Sequence, residues 1–212
     1  MNKGEIMANL DMKKTHKHLY APSAKQISEV DVPAAHYLMI DGAGDPRSRP
    51  YQEAVQSLYP LAYGIRAICK TNGQQFTVMP LESLWWWEEM PDQVLAHLSQ
   101  DDRDSFQWRA MIVQPDFVTT EMVETARELV REKKNPPQLD AIRFERFEEG
   151  PCAQIMHIGP YSAEGPTIQS LHEHITTQGY ALAGKHHEIY LSDPSRVAPE
   201  KLKTIIRQPF AR

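Results

Sequence analysis

The chain has 212 residues, is 41% hydrophobic and carries a net charge of −5 at pH 7. That length and apolar content suit one large domain or two small ones, and the acidic balance, with no dense Lys/Arg stripe, speaks against nucleic acid as a partner. No run is apolar over the length needed to span a bilayer, and the N-terminus lacks an apolar stretch followed by a small-residue cleavage site, so neither a membrane segment nor a signal peptide is expected.

In chain order, residues 1–25 carry few apolar residues and read as an N-terminal arm that docks through Leu19, Tyr20 and Pro22. A strand is expected over His36–Asp41, broken by Gly42-Ala43-Gly44-Asp45-Pro46. The Gly-x-Gly there reads as a strand-to-helix turn, because Pro46 and Pro50 spoil a phosphate cradle and no third glycine follows. Tyr51, Val55, Leu58, Ala62, Ile65 and Cys69 share one face of a helix reaching to Lys70, with Pro60 set to kink or split it. After an Asn72-Gly73 turn, a strand is expected from Gln75 to Glu88, with Pro80 implying a bulge or an edge. The polar run Pro91–Asp104 crosses over to a strand at Ser105–Gln114. A second helix follows at Glu121–Lys134, capped by Thr119 or Thr120 and ended by Asn135-Pro136-Pro137. Strands at Ala141–Glu148 and Cys152–Ile158 precede a third helix, which has Ile168, Leu171 and Ile175 on one face and Gly179 at its end. The chain closes with a strand around His186–Leu191, one helical turn at Pro199–Leu202 and a strand near Thr204–Arg207. Cys69 and Cys152 are far apart, share no metal-like spacing and read as reduced thiols of a cytoplasmic protein.

Alternation in the strand His186-His187-Glu188-Ile189-Tyr190-Leu191 sends Ile189 and Leu191 to one side and His186, Glu188 and Tyr190 to the other. The same pattern fits an edge strand with a wet face, but a carboxylate among apolar neighbours must find solvent, a donor or a cation. The two halves repeat a pattern of strand, glycine turn, long helix and decorated strand: His36–Gly42, the Tyr51 helix and Glu82–Trp87, then Cys152–Gly159, the Thr167 helix and Glu188–Tyr190. A pseudo-two-fold pairing of the halves would bring Glu82, Trp85, Trp86, Trp87, Glu188 and Tyr190 towards one cleft. Three consecutive tryptophans cannot all face one side, so Trp86 points away from Trp85 and Trp87. Glu82 is either the first-half counterpart of Glu188 or a rim residue. Tyr161, after a Gly-Pro turn, is either packing or part of the wall.

The turn His157-Ile158-Gly159-Pro160-Tyr161, the helix after it and His187-Glu188-Ile189-Tyr190-Leu191-Ser192-Asp193-Pro194 resemble the second half of a GyrI-like small-molecule-binding domain. Tyr37–Pro46, Pro80-Leu81-Glu82-Ser83-Leu84-Trp85-Trp86 and Met111–Asp116 resemble the stand-alone branch of that family. The resemblance runs from about Tyr20 to the end. It implies an α+β fold of duplicated βαββ (SHS2-like) units with pseudo-two-fold symmetry around a central ligand pocket. It further implies a single domain over 26–212, with halves at 36–115 and 141–212 joined by the helix at 120–134. In related multidrug regulators a buried glutamate at the Glu188 position meets cationic aromatic drugs, and some stand-alone members open the cyclopropane ring of DNA-alkylating natural products. Too little chain precedes His36 for the regulators' helix-turn-helix.

Two readings follow. One is a cyclopropanoid hydrolase, with Glu188 as the base for water, its pKa raised by desolvation, and Tyr190 or Tyr161 as hydrogen-bond donor. Trp85, Trp86, Trp87 and Trp108 would then offer flat surfaces to a polycyclic ligand. The other is a non-catalytic binder that sequesters aromatic or cationic molecules, held by carboxylate attraction and cation–π contact, or that resembles a gyrase inhibitor. No cofactor is expected. His172 and His174 are badly spaced to share a metal, and His186 and His187 lie on opposite strand faces. No Gly-x-Ser-x-Gly elbow supports a serine hydrolase. Exposed strand edges fit a monomer or a homodimer.

Overall fold

The computed structural model describes residues 9–87 and 106–212. Two short helices open it, α1 (Met12–Thr15) and α2 (Lys17–Tyr20), followed by strands β1 (Ser28–Val32) and β2 (Ala35–Ala43) and the long helix α3 (Arg49–Thr71). Strands β3 (Glu82–Trp86) and β4 (Gln107–Gln114), helix α4 (Thr120–Lys133) and strands β5 (Arg143–Phe147) and β6 (Gly150–Ile158) come next. Helix α5 (Gly165–Thr177), strands β7 (Ala181–Leu182) and β8 (His186–Tyr190) and the long β9 (Lys203–Ala211) complete the order. The strands form one mixed-order sheet, β1-β6-β9-β8-β3-β4-β2-β5, with β7 on β9, and every paired ladder is antiparallel. Among the described residues no helix is long and apolar enough to cross a membrane.

Register decides which side chains share a face. Ser83 lies opposite Glu188 and Trp85 opposite His186, while Glu188 and Tyr190 lie opposite Ile206 and Thr204 of β9. This is the face that α3 and α5 cover. Tyr51 of α3 bonds Ser83, and Ile168, Leu171 and Ile175 of α5 pack with Ala153 and Ile206. Helix α4 lies outside α3, where Gly64 admits Ala126 and Val130 closely. Gly42 has a sharper steric reason: a Cβ there would sit 2.2 Å from the Trp108 ring.

Several elements differ from what the sequence suggests. Pro60 neither kinks α3 into two pieces nor ends it. The carbonyl that loses its donor belongs to Gln56, an exposed residue on the solvent side of the helix. The expected strand from Gln75 starts only at Glu82. Phe76 makes just a bridge to Leu10, and Pro80 supplies no N–H to a ladder. The crossover at 91–104 lies outside the described residues. The last strand is nine residues long rather than four, and β1 was not foreseen although its burial alternates. Within residues 9–25 the chain docks onto the sheet through Leu19 and Tyr20, as expected. Leu19 and Tyr20 are buried, and the carbonyls of His18 and Leu19 accept from Gln154 and Arg207.

Candidate functional site

The helix-covered face of the central strands presents a chain of hydrogen bonds that ends on one carboxylate. Trp85 Nε1 donates to the Tyr190 hydroxyl at 3.1 Å, and that hydroxyl donates to Glu188 Oε2 at 2.8 Å. On the other oxygen, His186 Nε2 sits 3.2 Å from Glu188 Oε1. The Glu188 side chain is 16% exposed and His186 only 1%. Rings surround them. Tyr51 tilts against Trp85 at 5.3 Å and meets Trp108 edge-on at 5.2 Å, and Tyr161 meets Tyr190 edge-on at 5.7 Å. The Tyr51 hydroxyl and Ser83 Oγ share a 2.7 Å hydrogen bond beside them.

Charge follows from these contacts. Burial pushes Glu188 up, yet the hydrogen bond and charge of His186, then the hydrogen bond from Tyr190 and the charge of His187 behind the sheet, outweigh it and hold the carboxyl below its ordinary value. The raised value expected from desolvation alone is therefore corrected. Burial, then the Glu188 charge, lifts Tyr190 far above the ordinary phenol. Burial and the carboxylates Glu164 and Glu188 push Tyr161 up to about 12. Both phenols are neutral donors at physiological pH. The proton of Tyr190 is committed to Glu188, whereas the Tyr161 hydroxyl, 38% exposed as a residue, has no hydrogen bond among the described residues.

The expected residues divide by face. Glu188, Tyr190, Trp85 and Tyr161 come together; Trp108 is on the same face but only 1% exposed, packed beneath Tyr51 as part of the floor. Trp87 lies tilted against Phe106 with centroids 4.5 Å apart, just past the end of β3. Trp86 points to the other face, where Lys185 Nζ lies 3.2 Å from its ring centroid. Glu82 does not join them. It lies opposite Ile189, fully buried on the far face, and accepts from Tyr20 at 3.2 Å. There it belongs to a second cluster: His187 Nε2 lies 3.1 Å from Glu82 Oε2, His187 Nδ1 2.9 Å from Glu149, and Arg207 3.2 Å from Glu149. The sequence reading passed over Tyr51, Ser83 and His186. His186 carried a signal, standing two residues before Glu188 on a strand; Ser83 depends on the register between β3 and β8, which no local pattern encodes. Among the described residues no group of three or more His, Cys, Asp or Glu is arranged to hold a metal ion. A surface groove of about 670 Å³ between Leu10, Lys14, Gln75 and Phe117 lies apart from these groups and carries no comparable chemistry.

Comparison with known proteins places this geometry in a wider set. The model of the GyrI-like small molecule binding domain matches residues 25–210. An uncharacterized conserved protein from Listeria innocua is 41% identical, over 96% of this chain and 100% of that one, with a TM-score of 0.87. A hydrolase from the same organism is 40% identical over the same shares, with a TM-score of 0.82. The C-terminal domain of EcmrR shares the fold at 12% identity, over 88% of this chain and 98% of that one, with a TM-score of 0.54. No curated protein matches the chain.

Proposed function

The chain belongs to the GyrI-like small molecule binding domain family, and we propose that it is a binder of aromatic, preferentially cationic, small molecules that also hydrolyses cyclopropane-bearing electrophiles. The observation that carries this is the ionised Glu188, held by His186 and Tyr190 among the rings of Tyr51, Trp85 and Tyr161. A carboxylate of this kind attracts a cation, and the rings add cation–π and stacking contact. The strand order supports reading the fold as two βαββ units, β2-α3-β3-β4 and β6-α5-β8-β9, whose middle strands β3 and β8 meet at the centre.

For turnover, a strained ring conjugated to a carbonyl binds against the aromatic wall. Glu188 orients a water; the water oxygen bonds to a cyclopropane carbon while the ring C–C bond breaks. The released electron pair moves into the conjugated carbonyl, and the water proton passes by way of Glu188 to the product. Tyr161, with its uncommitted hydroxyl, stabilises the oxygen as charge grows there. Because Glu188 is a weak base, catalysis rests on position and on the strain of the ring rather than on basicity. The likeness to a hydrolase from Listeria innocua supports this reading. A cytoplasmic setting agrees with two free, buried cysteines.

The test is product analysis. Incubation with a cyclopropane-fused dienone is expected to yield the ring-opened alcohol, heavier by one water and carrying the isotope of labelled water. Unchanged substrate alongside tight binding rejects hydrolysis of that class and leaves the binder.

A further inference from the structure

The segment from His16 to Ser23 lies over the far face of the sheet and is held there by the buried cluster of Glu82, Glu149, His187 and Arg207. The carbonyls of His18 and Leu19 accept from Gln154 at 2.6 Å and from Arg207 at 2.9 Å, and the Tyr20 hydroxyl donates to Glu82 at 3.2 Å. The Arg207 guanidinium divides its donors among Gln154, Glu149 and Leu19, so one planar group ties the segment to the charges beneath it. Further on, the Ser23 carbonyl accepts from the Met156 N–H at 3.0 Å. Helices α1 and α2 are four residues each, too short to persist without such support. Charge makes that support conditional. Two carboxylates meet two cations in the cluster, and each side chain is at most 2% exposed. A neutral His187 would leave one negative charge unbalanced in the interior, where it is costly until water reaches it. Lifting α2 admits water while breaking only these few bonds, whereas moving any strand around the cluster breaks a ladder.

We propose that residues 16–23 form a strap latched by this cluster, and that loss of the His187 proton releases the strap from the far face while the sheet stays folded. Burial opposes the proton on His187, but Glu149 and then Glu82 raise its affinity to about 9 from an ordinary 6.5. Lifting the strap opens His187 to water and returns it towards the ordinary value. The closed state therefore binds the proton more tightly, and opening grows as pH rises from 6.5 to 9. The other groups around His187 keep their state over that range. Burial raises Glu149, yet His187 and Arg207 hold it below its ordinary value; burial lowers Arg207, yet Glu149 and Glu82 hold it above. Burial lifts the phenols Tyr20 of α2 and Tyr37 of β2 and the Cys152 thiol of β6. On the strap itself, His18 is exposed and its ring meets His16 edge-on at 6.3 Å. Because the His187 charge also acts on Glu188 through the sheet, the same proton is felt on both faces.

Amide hydrogen exchange on the full chain tests this, read as protection relative to an unstructured peptide over a range from about pH 6.5 to 8.5. The Met156 N–H, bonded to Ser23, and the Ala21 N–H, bonded to Lys17, report the strap, and the ladder amides of β9 report the sheet. Strap amides are expected to be at least about tenfold less protected than those of β9, which makes the opening local. Their protection should fall about tenfold per pH unit, the mark of one proton released on opening. In His187→Gln that pH dependence should vanish. Tyr20→Phe leaves the four charges in place, so strap protection should fall while its pH dependence persists. His16→Gln/His18→Gln, which removes the strap's own titrating rings, should keep the wild-type slope. Strap protection equal to that of β9 overturns the proposal, because the segment then leaves only with the sheet. A wild-type strap whose protection ignores pH overturns it too. So does a slope that survives in His187→Gln or disappears in His16→Gln/His18→Gln. Should His187→Gln fail to fold, the wild type and the double variant decide the matter.

Discussion

Raising the pH is expected to loosen the far face of the sheet before anything else. His187 is fully buried between Glu149 and Glu82, with Arg207 as the second cation. Burial lowers its proton affinity, but the charge and hydrogen bond of Glu149, then those of Glu82, raise it to about 9 from an ordinary 6.5. Because the folded value is the raised one, the stabilisation is complete below pH 6.5 and is lost as pH climbs through 9. At about 1.36 kcal/mol per pH unit the gap is worth about 3 kcal/mol, a large part of ordinary domain stability. For a chain of this size that is a fall of about 7 °C in Tm. The buried thiols Cys69 and Cys152, also raised by burial, add to alkaline loss only near and above their ordinary 9.0. Thermal melts across this window should therefore be run on wild type and His187→Gln together. The variant is expected to melt lower at neutral pH and to lack the wild-type slope. His187→Gln/Glu82→Gln, which removes one charge of each sign, should regain part of the loss. Parallel slopes in wild type and His187→Gln between pH 6.5 and 9 would refute the assignment of an imidazolium.

Gly42→Ala would place a methyl 2.2 Å from the buried Trp108 ring. Overpacking of that kind costs about 1–3 kcal/mol and should appear as a lower denaturation midpoint with an unchanged m-value. Trp85→Phe keeps the ring wall but removes the donor to Tyr190; stability should fall by about 1–2 kcal/mol in urea melts, and ligand affinity with it. Tyr20→Phe strips Glu82 of a buried donor and the N-terminal segment of a tie to the sheet. Faster proteolysis within residues 9–25 is the expected result, and wild-type resistance would contradict it.

Much of the frame was legible because periodicity is local. The α3 stripe of Tyr51, Leu58, Ala62, Ile65 and Cys69 is buried as spacing requires, and Thr119 caps α4 through Met122. Glu188 and Tyr190 could be placed on one face from alternation alone. Glu82 could not be assigned a side, because that depends on β3 meeting β8 with Glu82 opposite Ile189. Nor could the strength of Glu188 as a base be read from its apolar neighbours: the hydrogen bond and charge of a histidine set aside as a non-ligand, with the Tyr190 donor and the charge of His187, reverse the effect of burial. The quartet of Glu82, Glu149, His187 and Arg207 draws on three strands and one turn spread across the chain, and no short motif announces it.

The account stands on Glu188 as the anionic group of the ligand site, and a binding isotherm tests it most directly. Tetraphenylphosphonium would be titrated into wild type and Glu188→Gln, with quenching of tryptophan fluorescence as the signal. Glutamine keeps the shape and the acceptor for Tyr190 while removing the charge, so affinity for the cation should fall at least about tenfold, the equivalent of 1.4 kcal/mol. Equal affinity in the two proteins would contradict the claim and move the ligand site away from Glu188.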